Sequence, residues 1–290
     1  MKIILAEHFG ACFGVRDAYQ LALELAGQGS LTILGELAHN PVINQRLKAA
    51  GVQSGELDAV GSAETKRVLI TAHGASDQAR EAWSEAGYEV SDATCPLVKH
   101  AHTQLRKLVE AGYFPIVIGR KGHVEVNGLT GDFPESAVVL EESDFATLPD
   151  RPRFGVISQT TQPVFKVQAL VAALRKYLPN SEVRFVDTVC RPTKERQTAL
   201  NNLIDQVDRM VVVGGGNSNN TRQLALACER AGKTAHHVAG PDEVRASWFS
   251  PGETVGLTAG TSTLPETVQA VRRRLEAIAA VLEAEFAVHA

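Results

Sequence analysis

The sequence predicts an α/β protein of three similar units, each built on a mainly parallel sheet. Three observations carry this. Short apolar runs alternate with helical stretches almost throughout the chain. A phrase in which a helix closes on Ala-Gly and a strand follows recurs four times. A cysteine stands at the mouth of a strand-to-helix turn three times, at Cys12, Cys95 and Cys190.

Ten runs read as strands: 3–5, 31–34, 68–70, 114–118, 137–140, 154–157, 183–186, 210–213, 234–238 and 254–257. They are nearly continuous in apolar residues, the pattern of parallel strands covered on both faces. The recurring phrase is LKAAGV at 47–52, WSEAGYEV at 83–90, LVEAGYFPIVI at 108–118 and CERAGKTAHHV at 228–238. Its Gly suits the left-handed position after a helix, so the strand can follow at once. Helical runs follow each strand-end cysteine. Val15, Ala18, Ala22 and Leu25 share one face after Cys12, a second helix covers 98–111 after Cys95, and a third extends to Ile204 after Cys190. The last stretch opens on Thr263-x-x-Glu266 with Pro265 in the first turn, a capping-box pattern. Val268, Val271, Leu275, Ile278 and Leu282 then line one face of a long helix, with the arginines 272–274 on its solvated side. With Asp92-Ala-Thr-Cys95 and Asp187-Thr-Val-Cys190 sharing D-x-x-C, the chain divides into units at 1–95, 96–189 and 190–290.

A chain of 290 residues is longer than one ordinary domain, and 44% hydrophobic content can fill more than one core. The net charge of −4 excludes a protein that coats nucleic acid by releasing counterions. No run of eighteen apolar residues occurs, and the opening MKIILAEHFGACFG is not a signal peptide. A cytoplasmic protein that engages neither nucleic acid nor membrane is expected. Four cysteines without close pairs or a CxxC argue against a disulfide scaffold, a zinc ribbon or a thioredoxin site.

The chemistry lies at strand ends. Cys12, Cys95 and Cys190 each precede a helix, whose N-terminal dipole and N–H groups favour the thiolate a metal needs. Three thiolates can hold an iron–sulfur cluster and leave one iron open to substrate. Cys228 falls instead on the apolar side of a helix interior with Leu224, Ala227 and Ala231, and reads as core. His39, His73 and His123 follow strands 31–34, 68–70 and 114–118, where ligands bind in open α/β sheets. His8, His100, His102, His236, His237 and His289 have no such placement and read as structural or solvated. Glu125, two residues after His123 in a loop opened by Gly122, is the candidate acid. The run Met210-Val-Val-Val-Gly-Gly-Gly-Asn-Ser-Asn-Asn-Thr221 is a strand, a glycine turn and a helix start. Its N–H groups, with Ser218 and Asn220, form an anion site without a Walker lysine. Thr258-Ala-Gly-Thr-Ser262 and Ser158-Gln-Thr-Thr161 repeat the device after two other strands.

This constellation resembles the LytB-type 4-hydroxy-3-methylbut-2-enyl diphosphate reductases. The matching pieces are Gly10-Ala-Cys12-Phe-Gly-Val15, His39-Asn40, Ala72-His-Gly74, Asp92-Ala-Thr-Cys-Pro-Leu-Val98, Gly122-His-Val-Glu125, Gln159-Thr-Thr161, Cys190, Asn217-Ser-Asn-Asn220 and Thr258-Ala-Gly-Thr-Ser262. They run in family order across the chain. The resemblance implies three α/β units arranged around a central iron–sulfur cluster. It implies one 4Fe–4S cluster per chain on Cys12, Cys95 and Cys190, with one iron lacking a protein ligand and open to the substrate hydroxyl. His39, His73 and His123, with Thr160, Ser218, Asn220 and Ser262, would hold the diphosphate. Glu125, oriented with help from Thr160, would protonate the departing hydroxyl, and a ferredoxin- or flavodoxin-type donor would supply electrons. The products would be isopentenyl and dimethylallyl diphosphate, in the last step of the non-mevalonate pathway. Asn219 stands where some relatives carry a second Ser, and Phe9-Gly-Ala departs from the commoner Gly-Phe-Cys form.

Two other readings use the same residues. A zinc-dependent hydrolase could draw ligands from His39, His73, His123 and Cys95, with Glu125 as base, but leaves two strand-end cysteines idle. A non-catalytic iron–sulfur sensor of a phosphorylated metabolite would keep the three cysteines and tolerate Glu125→Gln.

Overall fold

Apolar runs bounded by turns become parallel strands when helices cover both faces, and this chain does so three times. A computed structural model describes residues 1–289, with side chains through Glu285, so the side chain of His289 lies outside the described residues. The strands are β1 (Lys2–Leu5), β2 (Thr32–Leu34), β3 (Gln53–Gly55), β4 (Arg67–Ile70), β5 (Glu89–Asp92), β6 (Phe114–Ile118), β7 (Ala137–Val139), β8 (Arg153–Ser158), β9 (Glu182–Phe185), β10 (Arg209–Val213), β11 (Thr234–Val238) and β12 (Thr254–Ala259). The helices are α1 (Phe13–Gly27), α2 (Pro41–Ala49), α3 (Asp77–Glu85), α4 (Pro96–Glu110), α5 (Val124–Thr130), α6 (Val164–Tyr177), α7 (Arg191–Ile204), α8 (Asn219–Arg230) and α9 (Pro265–His289). Among the described residues no helix is long and apolar enough to cross a membrane.

The strands form three four-stranded sheets, ordered β3-β2-β4-β5, β7-β6-β8-β9 and β11-β10-β12-β1, all with parallel pairing. Each sheet has the same plan. Its first strand lies inside the second, its third pairs with the first on the other side, and its fourth forms the far edge. The third module completes this plan with the chain's own N-terminus, because β1 takes the fourth place, with Ile3 opposite Val255 and Leu5 opposite Leu257. The sequence-based division therefore changes at the N-terminus and by one residue at its second break. The stretch 1–12, including Cys12, joins the C-terminal module and not the unit 1–95. Cys190 follows the middle module's fourth strand, β9, and closes the larger unit instead of opening the third. By compactness the chain forms two units. One comprises Met1–Cys12, His39–Pro41 and the residues from Arg191 onward, and the other Phe13–Ala38 and Val42–Cys190.

In the smaller unit, successive strand residues point to opposite faces of the sheet. Val211 and Val213, with Val255 and Leu257, meet Val268, Val271, Leu275 and Ile278 of α9 on one face. Met210 and Val212 meet Ala199, Leu200 and Leu203 of α7, Leu224 and Cys228 on the other. The larger unit repeats the alternation. Ile116, Ile118 and Val156 pack with Val167 and Val171 of α6, while Val117 and Ile157 pack with Leu105 and Leu108 of α4 and Leu129 of α5. Beside the N-terminal sheet the fully buried Trp83 donates its indole N–H to the Leu57 carbonyl at 2.7 Å.

Two strands, β3 and β5, lie outside the ten apolar runs and are marked in the sequence by the Ala-Gly phrase alone. Both follow an Ala-Gly phrase, but Gln-Ser-Gly and Glu-Val-Ser-Asp are half-exposed edge strands without an apolar run. Hydrophobic patterning cannot mark a strand that buries so little.

Candidate functional site

The common plan gives every predicted site residue an equivalent in another module. The strand order reverses between the first and third strands, and in open α/β sheets ligands bind outside the carboxyl ends at such a reversal. The loops following first strands carry His39 after β2, His123 after β6, and Ser218 and Asn220 after β10. Those following third strands carry His73 after β4, Thr160 after β8 and Ser262 after β12. The fourth strands β5, β9 and β1 lead to Cys95, Cys190 and Cys12, each followed directly by a helix, α4, α7 or α1. All three cysteines are partly exposed, whereas Cys228 is buried in the core and its thiol is pushed up to about 12 by burial.

The larger unit gathers His73, Cys95, His123, Glu125, Thr160 and Cys190 along one run of contacts. The Cys95 N–H donates to the Ala72 carbonyl at 3.1 Å, next to His73. The His73 and His123 rings meet edge to face with centroids 5.7 Å apart. His123 caps α5: its Nδ1 accepts the Glu125 N–H at 3.1 Å, which puts the proton of a neutral ring on Nε2. Glu125 is only 2% exposed and its Oε1 accepts the Thr160 N–H at 2.6 Å. Burial raises this carboxyl to about 7, outweighing the Thr160 hydrogen bonds that pull it down. A carboxylic acid so placed keeps its proton near neutral pH and can give it up there. The Thr160 carbonyl then accepts the Cys190 N–H at 2.9 Å. Gly14 is needed for close approach, since a Cβ there would lie 2.4 Å from the Cys95 sulfur.

The smaller unit gathers Cys12, His39, Ser218, Asn220 and Ser262. The Cys12 N–H donates to the Thr261 carbonyl at 2.9 Å. The adjoining Ser262 donates its hydroxyl to the His39 carbonyl at 3.1 Å, and the Asn40 side chain returns a hydrogen bond to the Ser262 carbonyl at 2.5 Å. Gly215 lets the glycine loop close over this turn, because a Cβ would stand 2.8 Å from the His39 carbonyl oxygen. Ser218 caps α8 by accepting the Thr221 N–H at 3.3 Å, so α8 starts at this loop, and Asn220 is buried in its first turn.

Three supporting residues received no role at the site from sequence. His237, read as structural or solvated, places Nε2 3.0 Å from the Gly214 carbonyl and so braces the glycine loop. Asn40 was visible only as part of a motif, without a role. Arg196 belongs to no motif, yet it is 6% exposed and bonds three backbone carbonyls. No local pattern announces any of these contacts, since each partner lies 23 or more residues away, save for one bond within α7.

A family model described as LytB protein matches residues 3–276. Among curated relatives, the 4-hydroxy-3-methylbut-2-enyl diphosphate reductase of Trichlorobacter lovleyi is 37% identical over 281 residues, spanning 96% of this chain and 99% of its own. The protein of the same name from Aquifex aeolicus is 34% identical over 284 residues, spanning 96% and 97%. The solved E-1-hydroxy-2-methyl-but-2-enyl-4-diphosphate reductase from Plasmodium falciparum superposes with a TM-score of 0.86 at 25% identity, over 94% of this chain and 87% of that one. A solved (E)-4-hydroxy-3-methyl-but-2-enyl diphosphate reductase, described as the terminal enzyme of the non-mevalonate pathway, gives 0.68 at 34% identity, over 95% and 99%.

Proposed function

The chain belongs to the LytB protein family, and from that membership we propose that it is a 4-hydroxy-3-methylbut-2-enyl diphosphate reductase. It removes the substrate hydroxyl reductively and yields isopentenyl and dimethylallyl diphosphate, the terminal step of the non-mevalonate pathway. The observation that carries this reading is the run from His73 through His123, Glu125 and Thr160 to Cys190. It joins anion-binding side chains, an acid held near 7 and a strand-end thiol within one unit.

Cys12, Cys95 and Cys190 are the proposed ligands of one 4Fe–4S cluster per chain, with one iron lacking a protein ligand. The donor set fits. All three are partly exposed thiols at the head of a helix, and the backbone of Gly14 leaves room at the Cys95 sulfur. Among the described residues no three His, Cys, Asp or Glu side chains are grouped to hold a metal ion. When bound, the cluster supplies Lewis acidity toward the hydroxyl and a path for two electrons from a ferredoxin- or flavodoxin-type donor.

The chain's own residues do the rest. His39, His73, His123, Thr160, Ser218, Asn220 and Ser262 bind the diphosphate through ring N–H, hydroxyl and amide donors and the N–H groups at the start of α8. Glu125 gives its proton to the departing hydroxyl, which leaves as water, while Thr160 holds the carboxyl in place. Two electrons and a second proton delivered to carbon complete the balance.

The test is anaerobic purification with iron and sulfide analysis, followed by addition of the hydroxylated diphosphate to viologen-reduced protein. About four irons per chain with sulfide, and viologen oxidation that requires the substrate, are expected. Zinc without sulfide, or a full cluster with no substrate-dependent oxidation, would refute the reading.

A further inference from the structure

Each module must hold its cysteine still at the end of an edge strand, and two modules do so with an aspartate. Asp92 Oδ1 accepts the Thr94 N–H at 2.8 Å and also the Thr94 hydroxyl. Asp187 Oδ1 accepts the Val189 N–H at 3.0 Å. Each is an Asx turn that closes one residue before the cysteine. The cysteine N–H then reaches the loop of the third strand, Cys95 to Ala72 and Cys190 to Thr160. In the C-terminal module Cys12 makes the same bond, to Thr261. The residue three before it is Phe9, which has no side-chain acceptor for the turn.

Arg196 lies at this point. Its side chain extends from the second turn of α7. Nε donates to the Gly10 carbonyl at 3.1 Å, and Nη2 donates to that carbonyl and, at 3.5 Å, to Phe9. Nη1 donates to the Pro192 carbonyl at 2.9 Å. An Asx turn holds an N–H donor, whereas the groups needing restraint before Cys12 are carbonyl acceptors. A guanidinium supplies several donors in one rigid plane, and an ammonium does not.

We propose that Arg196 is the positioning residue for Cys12, doing with a guanidinium what Asp92 and Asp187 do with carboxylates for Cys95 and Cys190. This rests on the reading of Cys12 as a thiolate ligand. By fixing Phe9 and Gly10 against α7, which starts directly after Cys190 in the chain, it sets where the Cys12 thiol stands before any metal arrives.

The test is cysteine-by-cysteine alkylation of the full-length chain after its iron has been removed with a chelator, read by mass spectrometry. Arg196→Met should speed modification of Cys12 by about tenfold or more and leave Cys95 and Cys190 within about twofold of wild type, because only the local opening changes. Asp92→Ala should act reciprocally on Cys95, and Asp92→Asn should restore the wild-type rate, since Asn makes the same turn. Arg196→Lys, which covers a methionine variant that fails to fold, should show a smaller rise confined to Cys12. Equal acceleration of all three cysteines would mean that Arg196 only holds the fold together, and an unchanged Cys12 would remove its role. Either result overturns the proposal. Iron and sulfide in reconstituted wild type are measured alongside. Their absence would overturn the ligand reading, whatever alkylation reports about Arg196.

Discussion

The backbone N–H of Thr160 donates to Glu125 Oε1 at 2.6 Å, and the carbonyl of the same threonine accepts the N–H of Cys190. One peptide segment after β8 therefore aligns the acid and the thiol. The hydrogen bond to Glu125 lowers its affinity for a proton, but burial acts the other way and prevails, leaving it near 7.

Glu125→Gln should lower turnover about 10²–10⁴-fold, the usual share of a general acid, while the KM for the diphosphate stays within a few-fold. Steady-state kinetics in the viologen assay decide it. Near-normal turnover would remove Glu125 as the acid. The wild-type rate limited by this acid should fall as pH rises through about 7, where the carboxyl loses its proton.

Stability should follow the same group. The folded-state value lies above the ordinary 4.5, so the folded chain binds a proton that the unfolded chain has released. The stabilising contribution is full below about 4.5 and is lost as pH rises to about 7, at roughly 1.4 kcal/mol per unit at most. His102, lowered to about 4 by burial and by Arg80, works in the opposite sense, costing stability as pH falls below 6.5. The difference between wild type and Glu125→Gln in urea unfolding cancels the His102 share. That difference should slope between pH 5 and 7 and flatten above.

Substitution of Cys12, Cys95 or Cys190 by Ser should each abolish stable iron binding. Cys228→Ala should retain it and cost only about 1 kcal/mol of stability, because Cys228 fills core beside Leu224. Iron analysis and thermal melting of the four variants separate ligand from filler.

Gly14→Ala would put a methyl group 2.4 Å from the Cys95 sulfur. Overpacking of this kind costs about 1–3 kcal/mol. Because the atom displaced is the thiol itself, iron loading should fall even at temperatures where the variant is folded. Normal iron content with a lowered melting point would show that the sulfur moves aside harmlessly.

Asn40→Ala removes the amide that bonds the Ser262 carbonyl and frees the His39 turn. The KM for the diphosphate should rise about tenfold, the worth of one lost hydrogen bond, with kcat less affected. An equal fall in kcat at unchanged KM would place the defect elsewhere.

Much of this was legible in the chain. Cys12, Cys95, Cys190, His39, His73 and His123 could be placed at strand ends because an apolar run and the turn after it are local features. The same reasoning put Cys228 in the core and Val268, Val271, Leu275 and Ile278 on the buried face of α9. It failed at β3 and β5, which bury too little to leave a pattern, and at Arg196, whose burial depends on carbonyls 186 and 187 residues away.

The sequence by itself determined the apolar strands, the helices after the strand-end cysteines, and the side chains that stand at those ends. Periodicity and turn chemistry act over a few residues, so they can be read in order. Only the tertiary structure decided that β1 closes the C-terminal sheet beside β12, and so that Cys12 is the fourth-strand cysteine of the last module and not the first. Hydrophobic burial is non-directional. An apolar strand states that it must be covered and paired, and the partner is chosen by the packing of the whole chain.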